Sequence, residues 1–145
     1  MQYDNIIHAT FVSVEGYGVL LLGKSGCGKS DLALRLIENK KALLVADDEV
    51  AVTIRNGKII GQAPENLRGL LEIRGVGICK YPFKQEEVVN LVVQLKDDAT
   101  QIERMPKNTA EIIFGVEIQK FDLYAKESSA PDKIMAMLLR TKHGI

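Results

Sequence analysis

Val19-Leu20-Leu21-Leu22-Gly23-Lys24-Ser25-Gly26-Cys27-Gly28-Lys29-Ser30 decides how this chain is read. The four apolar residues read as a short buried strand. Gly23–Ser30 then matches G-x-x-x-x-G-K-[ST], and Ser30–Asn39 reads as a helix with Ala33, Leu36 and Ile37 on one face. A strand, a glycine loop and a helix in that order form the setting in which such a loop holds phosphate. The glycines let the backbone of Gly23, Lys24, Ser25, Gly26, Cys27 and Gly28 curl, so that its N–H groups converge on one phosphate. The helix start adds the positive end of its dipole. Lys29 reaches the β- and γ-phosphates, and the Ser30 hydroxyl ligates Mg²⁺. A chance match in a chain of average composition has odds on the order of one in a hundred. Cys27 occupies a variable position of the loop and reads as a small filler, its thiol open to oxidation or alkylation between two glycines.

Outward from this unit, Ile6–Val14 is β-rich and Glu15-Gly16-Tyr17-Gly18 turns the chain into the strand. Ala42–Ala46 is a second buried strand. Glu49–Arg55 alternates, Asn56-Gly57 signals a hairpin, and Lys58–Ile60 returns. Val88–Leu95 is a strong strand, Glu111–Tyr124 holds two more, and Pro131–Lys142 reads as a closing helix. The whole reads as an α/β domain with a mixed sheet.

The 145 residues fit one domain, residues 1–145. Nineteen Lys+Arg balance nineteen Asp+Glu, which removes the electrostatic argument for nucleic acid or an anionic membrane. No apolar run approaches a membrane span, and the N-terminal residues lack the features of a signal peptide. Two cysteines are too few for a disulfide framework, so a reducing, cytoplasmic setting is expected.

Asp47-Asp48 follow the strand after the loop's helix, at the sheet edge where ligands of α/β proteins bind. Adjacent acids on an extended chain point different ways, so two roles are open to them: facing Mg²⁺ and facing a nucleophile. Leu70–Ile78 places Glu72 and Arg74 in an apolar stretch with two glycines, where charges need partners. Glu72 is a candidate metal ligand and Arg74 a phosphate contact. The alternative is an internal Glu72–Arg74 ion pair. On the residues alone, His8 reads as structural and Arg104 as a surface residue.

These residues together resemble the catalytic domain of HPr kinase/phosphorylase over nearly the whole chain. The resemblance rests on His8, Gly23–Ser30, Val45-Ala46-Asp47-Asp48, Leu71-Glu72-Ile73-Arg74-Gly75-Val76-Gly77-Ile78 and Arg104. The Glu-Ile-Arg-Gly-x-Gly-Ile segment after Asp-Asp is its most specific part. The resemblance implies a phosphate-loop domain similar to phosphoenolpyruvate carboxykinase, here a short form lacking the N-terminal domain, assembled as a hexamer. It implies phosphorylation of a serine of the phosphocarrier HPr from ATP or pyrophosphate, with Mg²⁺. The reverse reaction it implies is phosphorolysis, in which inorganic phosphate attacks phosphoserine and pyrophosphate leaves. By position, Asp47 would be the acid/base supported by His8, and Lys29 would bind the transferred phosphoryl group. Ser30 and Glu72 would hold Mg²⁺ with help from Asp48, and Arg104 would lie in the active site. One segment departs from the family: its glycine-arginine stretch, tied to dephosphorylation, is here Tyr124-Ala125-Lys126-Glu127-Ser128-Ser129-Ala130.

Two other classes compete. A small-molecule kinase on a phosphate-loop fold is disfavoured by the lack of an arginine-rich lid segment. A regulatory nucleotide-binding module is disfavoured by the intact set Lys29, Ser30, Asp47 and Glu72. A GTPase is disfavoured because Asn39-Lys40-Lys41-Ala42 lacks the aspartate of N-K-x-D.

Overall fold

In the computed structural model of the chain, residues 5–107 and 109–143 are described. Residues 1–4, read above for a targeting signal, lie outside them. Strand β3 (Tyr17–Leu22) leads into the glycine loop, and α1 (Lys29–Lys40) follows it. This is the expected strand–loop–helix unit, with the strand two residues longer at its start because only Glu15-Gly16 turns the chain.

Around this unit lies a curled mixed sheet. Its main path runs β1 (Asn5–His8), β5 (Glu49–Arg55), β6 (Lys58–Gln62), β9 (Glu87–Lys96), β3, β2 (Thr10–Val14) and β4 (Leu43–Ala46). β11 (Val116–Tyr124) pairs with the second half of β9, and β10 (Thr109–Ile113) pairs with β11. The β3–β9 and β9–β11 pairs are parallel and the rest antiparallel, so the sheet is mixed as expected. The hairpin expected at Asn56-Gly57 joins β5 to β6.

Both faces of the sheet are covered. Val12, Val19, Leu21, Leu91 and Val93 pack under α1 and the closing helix α2 (Ala130–His143). Phe11, Leu20, Val50, Ile59 and Val92 fill the opposite face, inside the curl. The Phe11 ring demands glycine on both of its sides. A Cβ on Gly18 would lie 2.7 Å from Phe11 Cζ and 1.9 Å from the Val88 carbonyl oxygen, and one on Gly61 would lie 2.7 Å from Phe11 Cε2.

Two readings are corrected. Ile6–Val14 is not one strand: the chain leaves β5 after His8 and joins β4 and β3 from Thr10, breaking at Ala9, whose N–H donates to the Asp48 carbonyl. The apolar stretch around Glu72 is not interior. It forms a separate two-stranded hairpin, β7 (Leu70–Ile73) and β8 (Gly77–Lys80), in which Leu71 is buried but Val76 and Ile78 are 72% and 70% exposed. Glu72 and Arg74 are therefore solvated, and they form no ion pair with each other. No helix among the described residues is long and apolar enough to cross a membrane.

Candidate active site

The glycine loop supplies its own geometry. Gly26 and Gly28 have φ of 84° and 98°, a left-handed backbone that glycine adopts without Cβ strain. Gly28 caps α1 in that conformation. Gly23 has no room for a side chain, because a Cβ there would lie 2.4 Å from Cys27 Sγ. Cys27 is only 2% exposed, so the filler reading holds and its thiol is shielded from reagents. The Lys29 ammonium rests on the carbonyls of Gly23 (2.7 Å) and Lys24 (3.2 Å), a cation curled over the loop. Lys24 reaches outward to Asp97 just after β9 at 2.5 Å, and that hydrogen bond and charge raise its pKa.

Asp47 is the hub. Its Oδ1 accepts from Ser30 Oγ at 2.7 Å and from Thr10 Oγ1 at 3.0 Å, and its Oδ2 accepts from the Glu72 backbone N–H at 3.2 Å. One carboxylate thus ties the helix start, β2 and the β7–β8 hairpin together. Asp48 turns the other way. Its φ of 68° is left-handed, and the Glu49 N–H donates back to the Asp47 carbonyl at 2.8 Å, closing a three-residue turn. A non-glycine residue held in that region stores backbone strain, a common feature of functional sites.

A cavity of about 730 Å³ opens here. His8, Thr10, the loop, Ser30, Asp31, Asp48, Glu72, Arg74 and Lys126 all face it. Of the residues read from sequence, His8, Lys29, Ser30, Asp48 and Glu72 meet in this cavity, and Asp47 stands behind Ser30. Arg104 is not brought there. It lies exposed in the segment after the 3-10 turn Ala99–Gln101 and does not line the cavity. Among the described residues, no group of three or more His, Cys, Asp or Glu side chains is set to hold a metal ion.

The family model for the HPr serine kinase C-terminal domain matches residues 1–142. The chain belongs to that family. Its similar relatives include an HPr kinase/phosphorylase of Caldicellulosiruptor bescii, 43% identical over 97 residues, which are 61% of this chain and 31% of that protein. Another HPr kinase/phosphorylase, from Lactobacillus acidophilus, is 37% identical over 134 residues, 84% of this chain and 41% of that protein. The chain thus spans well under half the length of these curated relatives. Among solved structures, the HPr(Ser) kinase/phosphatase of Coxiella burnetii matches with a TM-score of 0.83 at 27% identity, over 97% of this chain and 98% of that one.

Within this family frame, the residues at the site that were not singled out from the sequence include Asp31, Thr10 and Lys126. Thr10 is fully buried, yet it lines the cavity and donates to Asp47. A hydroxyl opening a mostly apolar strand, two residues after His8, was the available signal. Lys126 also faces the cavity, from a segment noted only for departing from the family pattern.

Proposed function

We propose that this chain transfers the γ-phosphoryl group of ATP to a serine of HPr or an HPr-like phosphocarrier, within a single catalytic domain spanning residues 1–145. The observation that carries the reading is the Ser30–Asp47–Glu72 junction beside Lys29 on a glycine loop, in a chain of this family. The fold reading that goes with it is a phosphate-loop domain similar to phosphoenolpyruvate carboxykinase. Assembly as a hexamer and a cytoplasmic location belong to the same reading.

The residues fit Mg²⁺. This ion keeps several waters and takes one or two carboxylates plus substrate phosphates, so it needs no closed protein cage. Ser30 and Glu72, with Asp48 nearby, would hold it, and when bound it would neutralise charge on the donor phosphates. Phosphoryl transfer relies chiefly on positioning and charge neutralisation. The loop N–H groups orient the donor phosphates, and Lys29 moves from its carbonyl contacts to the γ-phosphoryl oxygens. Asp47 accepts the serine proton as the serine oxygen bonds to phosphorus and the bond to the leaving ADP oxygen breaks. His8, at the cavity wall, supports that carboxylate. In the reverse direction an inorganic phosphate oxygen attacks the phosphoserine phosphorus, protonated Asp47 returns its proton to the serine oxygen, and pyrophosphate leaves.

One observation favours a second assignment within this mechanism. Asp48 lines the cavity, whereas the Asp47 carboxylate is occupied by three protein donors, Ser30, Thr10 and the Glu72 N–H. In that version Asp48 takes the proton and Asp47 orients Ser30.

The test is phosphotransfer from ATP to purified HPr-like proteins, beside free serine and nucleoside acceptors. Serine phosphorylation of the carrier, lost in Lys29→Ala with the fold intact, supports the reading. Transfer only to a small molecule, or turnover surviving Lys29→Ala, overturns it.

A further inference from the structure

Four cations line the cavity: Lys24, Lys29, Arg74 and Lys126. Lys24 is engaged by Asp97 and Lys29 by loop carbonyls. Among the described residues, neither Arg74 nor Lys126 has a carboxylate partner within ion-pair distance. Arg74 belongs to the β7–β8 side, with Glu72. Lys126 belongs to the opposite side, and its surroundings are fixed with unusual care.

Arg35 of α1 spends its guanidinium on two main-chain carbonyls, those of Ala125 and Glu127, which flank Lys126 in the chain. Asp31, one helical turn earlier, orients Arg35 through a 3.1 Å bond. Ala125 is fully buried, and its Cβ would be 3.5 Å from a Cβ placed on Gly28, so this segment lies directly against the glycine loop. Glu127 is held in turn by Lys133 at 2.6 Å, and its carbonyl takes the Ala130 N–H at the start of α2. With both neighbours pinned, the side chain between them is exposed and faces the cavity. Arg35 and Ser30 are five residues apart, about 140° around the helix at 3.6 residues per turn. Lys126 reaches the cavity from the segment held by Arg35, whereas Asp48 and Glu72 line it from the β4–β5 turn and the β7–β8 hairpin.

We propose that Lys126, held against the loop by the Arg35 clamp, is a binding residue for the phosphate chain of the donor. The inference rests on the phosphate-loop reading above and adds a residue to it. An exposed lysine without an ion-pair partner among the described residues, presented beside backbone N–H donors and a helix N-terminus, suits a polyanion that runs along the loop. The clamp matters because it restricts Lys126 before the ligand arrives, so less ordering cost falls on binding.

The experiment is titration of the full chain with ATP in excess Mg²⁺, with no acceptor protein present. Lys126→Ala weakens ATP binding about tenfold, the effect of losing one charge-assisted hydrogen bond at a partly exposed site. Lys126→Arg restores most of the affinity, which a merely structural role would not require. Both variants melt with the wild type, since the lysine side chain is exposed. Unchanged ATP affinity in Lys126→Ala overturns the inference. So does a rise confined to the KM of the acceptor protein, which would place Lys126 in acceptor docking. ATP binding by the wild type without phosphorylation of any HPr-like protein would sink the proposed function and leave this inference standing. Absence of ATP binding by the wild type would sink both.

Discussion

Asp47→Asn separates chemistry from architecture at the centre of the site. The carboxylate now accepts three hydrogen bonds, two on Oδ1 and one on Oδ2. An asparagine offers one acceptor oxygen and one NH₂ donor. Its better orientation keeps the oxygen on Ser30 and Thr10, which turns the NH₂ against the Glu72 N–H. One bond is lost, and an unsatisfied buried donor costs about 1–3 kcal/mol. Glu72 sits on an exposed hairpin, so water takes over its N–H and the low end applies, about 1 kcal/mol. In a domain of this size that lowers the melting temperature by about 4 °C. Loss of the proton acceptor costs far more in rate, ~10²–10⁴ in kcat, or about 3–5 kcal/mol in the barrier. The assay pairs thermal melting with steady-state phosphotransfer and direct ATP titration. The expected result is a small melting shift, near-normal ATP affinity and a kcat lowered at least a hundredfold. A kcat within tenfold of wild type refutes Asp47 as the acid/base. If ATP affinity collapses in Mg²⁺ while turnover survives, Asp47 serves the metal, and Asp48→Asn must then carry the rate loss.

Three further outcomes follow from the geometry. Glu72→Gln should lower activity and recover in part at raised Mg²⁺, because a neutral amide is a poorer ligand for a hard cation. Because Glu72 is exposed, its stability should stay within about 0.5 kcal/mol of wild type, and a large melting drop without Mg²⁺ rescue would rule the metal role out. Gly18→Ala should unfold in denaturant with a loss at or above the ~3 kcal/mol end of overpacking costs, since its Cβ meets both Phe11 and the Val88 carbonyl; a wild-type midpoint would refute that close approach. At Glu87, burial opposes the charged form, but hydrogen bonds from Lys84, Ser13 and the Val88 N–H outweigh it and hold the carboxyl below its ordinary 4.5. A depressed carboxylate stabilises the fold above its unfolded pKa and loses that contribution as pH falls through the folded one. Melting temperature should therefore decline as pH drops below 4.5, and Glu87→Gln should flatten the decline; an equally steep decline in the variant would count against the assignment.

The parts legible in the sequence are those whose cause is local. The unit from Val19 to Lys40 announces itself by an apolar run, glycines at left-handed positions and an amphipathic helix, all within two dozen or so residues. The β5–β6 hairpin is equally local, fixed by Asn56-Gly57. What escaped depends on distant partners. The break at Ala9 is made by the Asp48 carbonyl, and Thr10 gains its role only from Asp47, 37 residues on. Lys126 gains its place from Arg35, whose bond to the Glu127 carbonyl spans 92 residues. The apolar pattern Val76–Ile78 misled in the other direction: hydrophobic residues there suggested an interior, but a two-stranded hairpin outside the main sheet has solvent on most of its surface.

Strand β9 carries a kinetic consequence. It is hydrogen-bonded to β3 along one edge and to β6 and then β11 along the other, so neither half of the sheet closes without it. Its bond to the strand that feeds the glycine loop, Gly18 N–H to Asn90 Oδ1 at 2.8 Å, joins residues 72 apart. Parallel pairing across such a separation must meet a large loop-closure entropy before any contact rewards it, and it slows folding. The loop and α1 can form early as local structure, but the strand beneath them gains its parallel neighbour only when the far half of the chain arrives. Refolding followed by hydrogen exchange should show α1 amides protected ahead of those in β9, with the ability to bind ATP returning at the later, β9-limited rate.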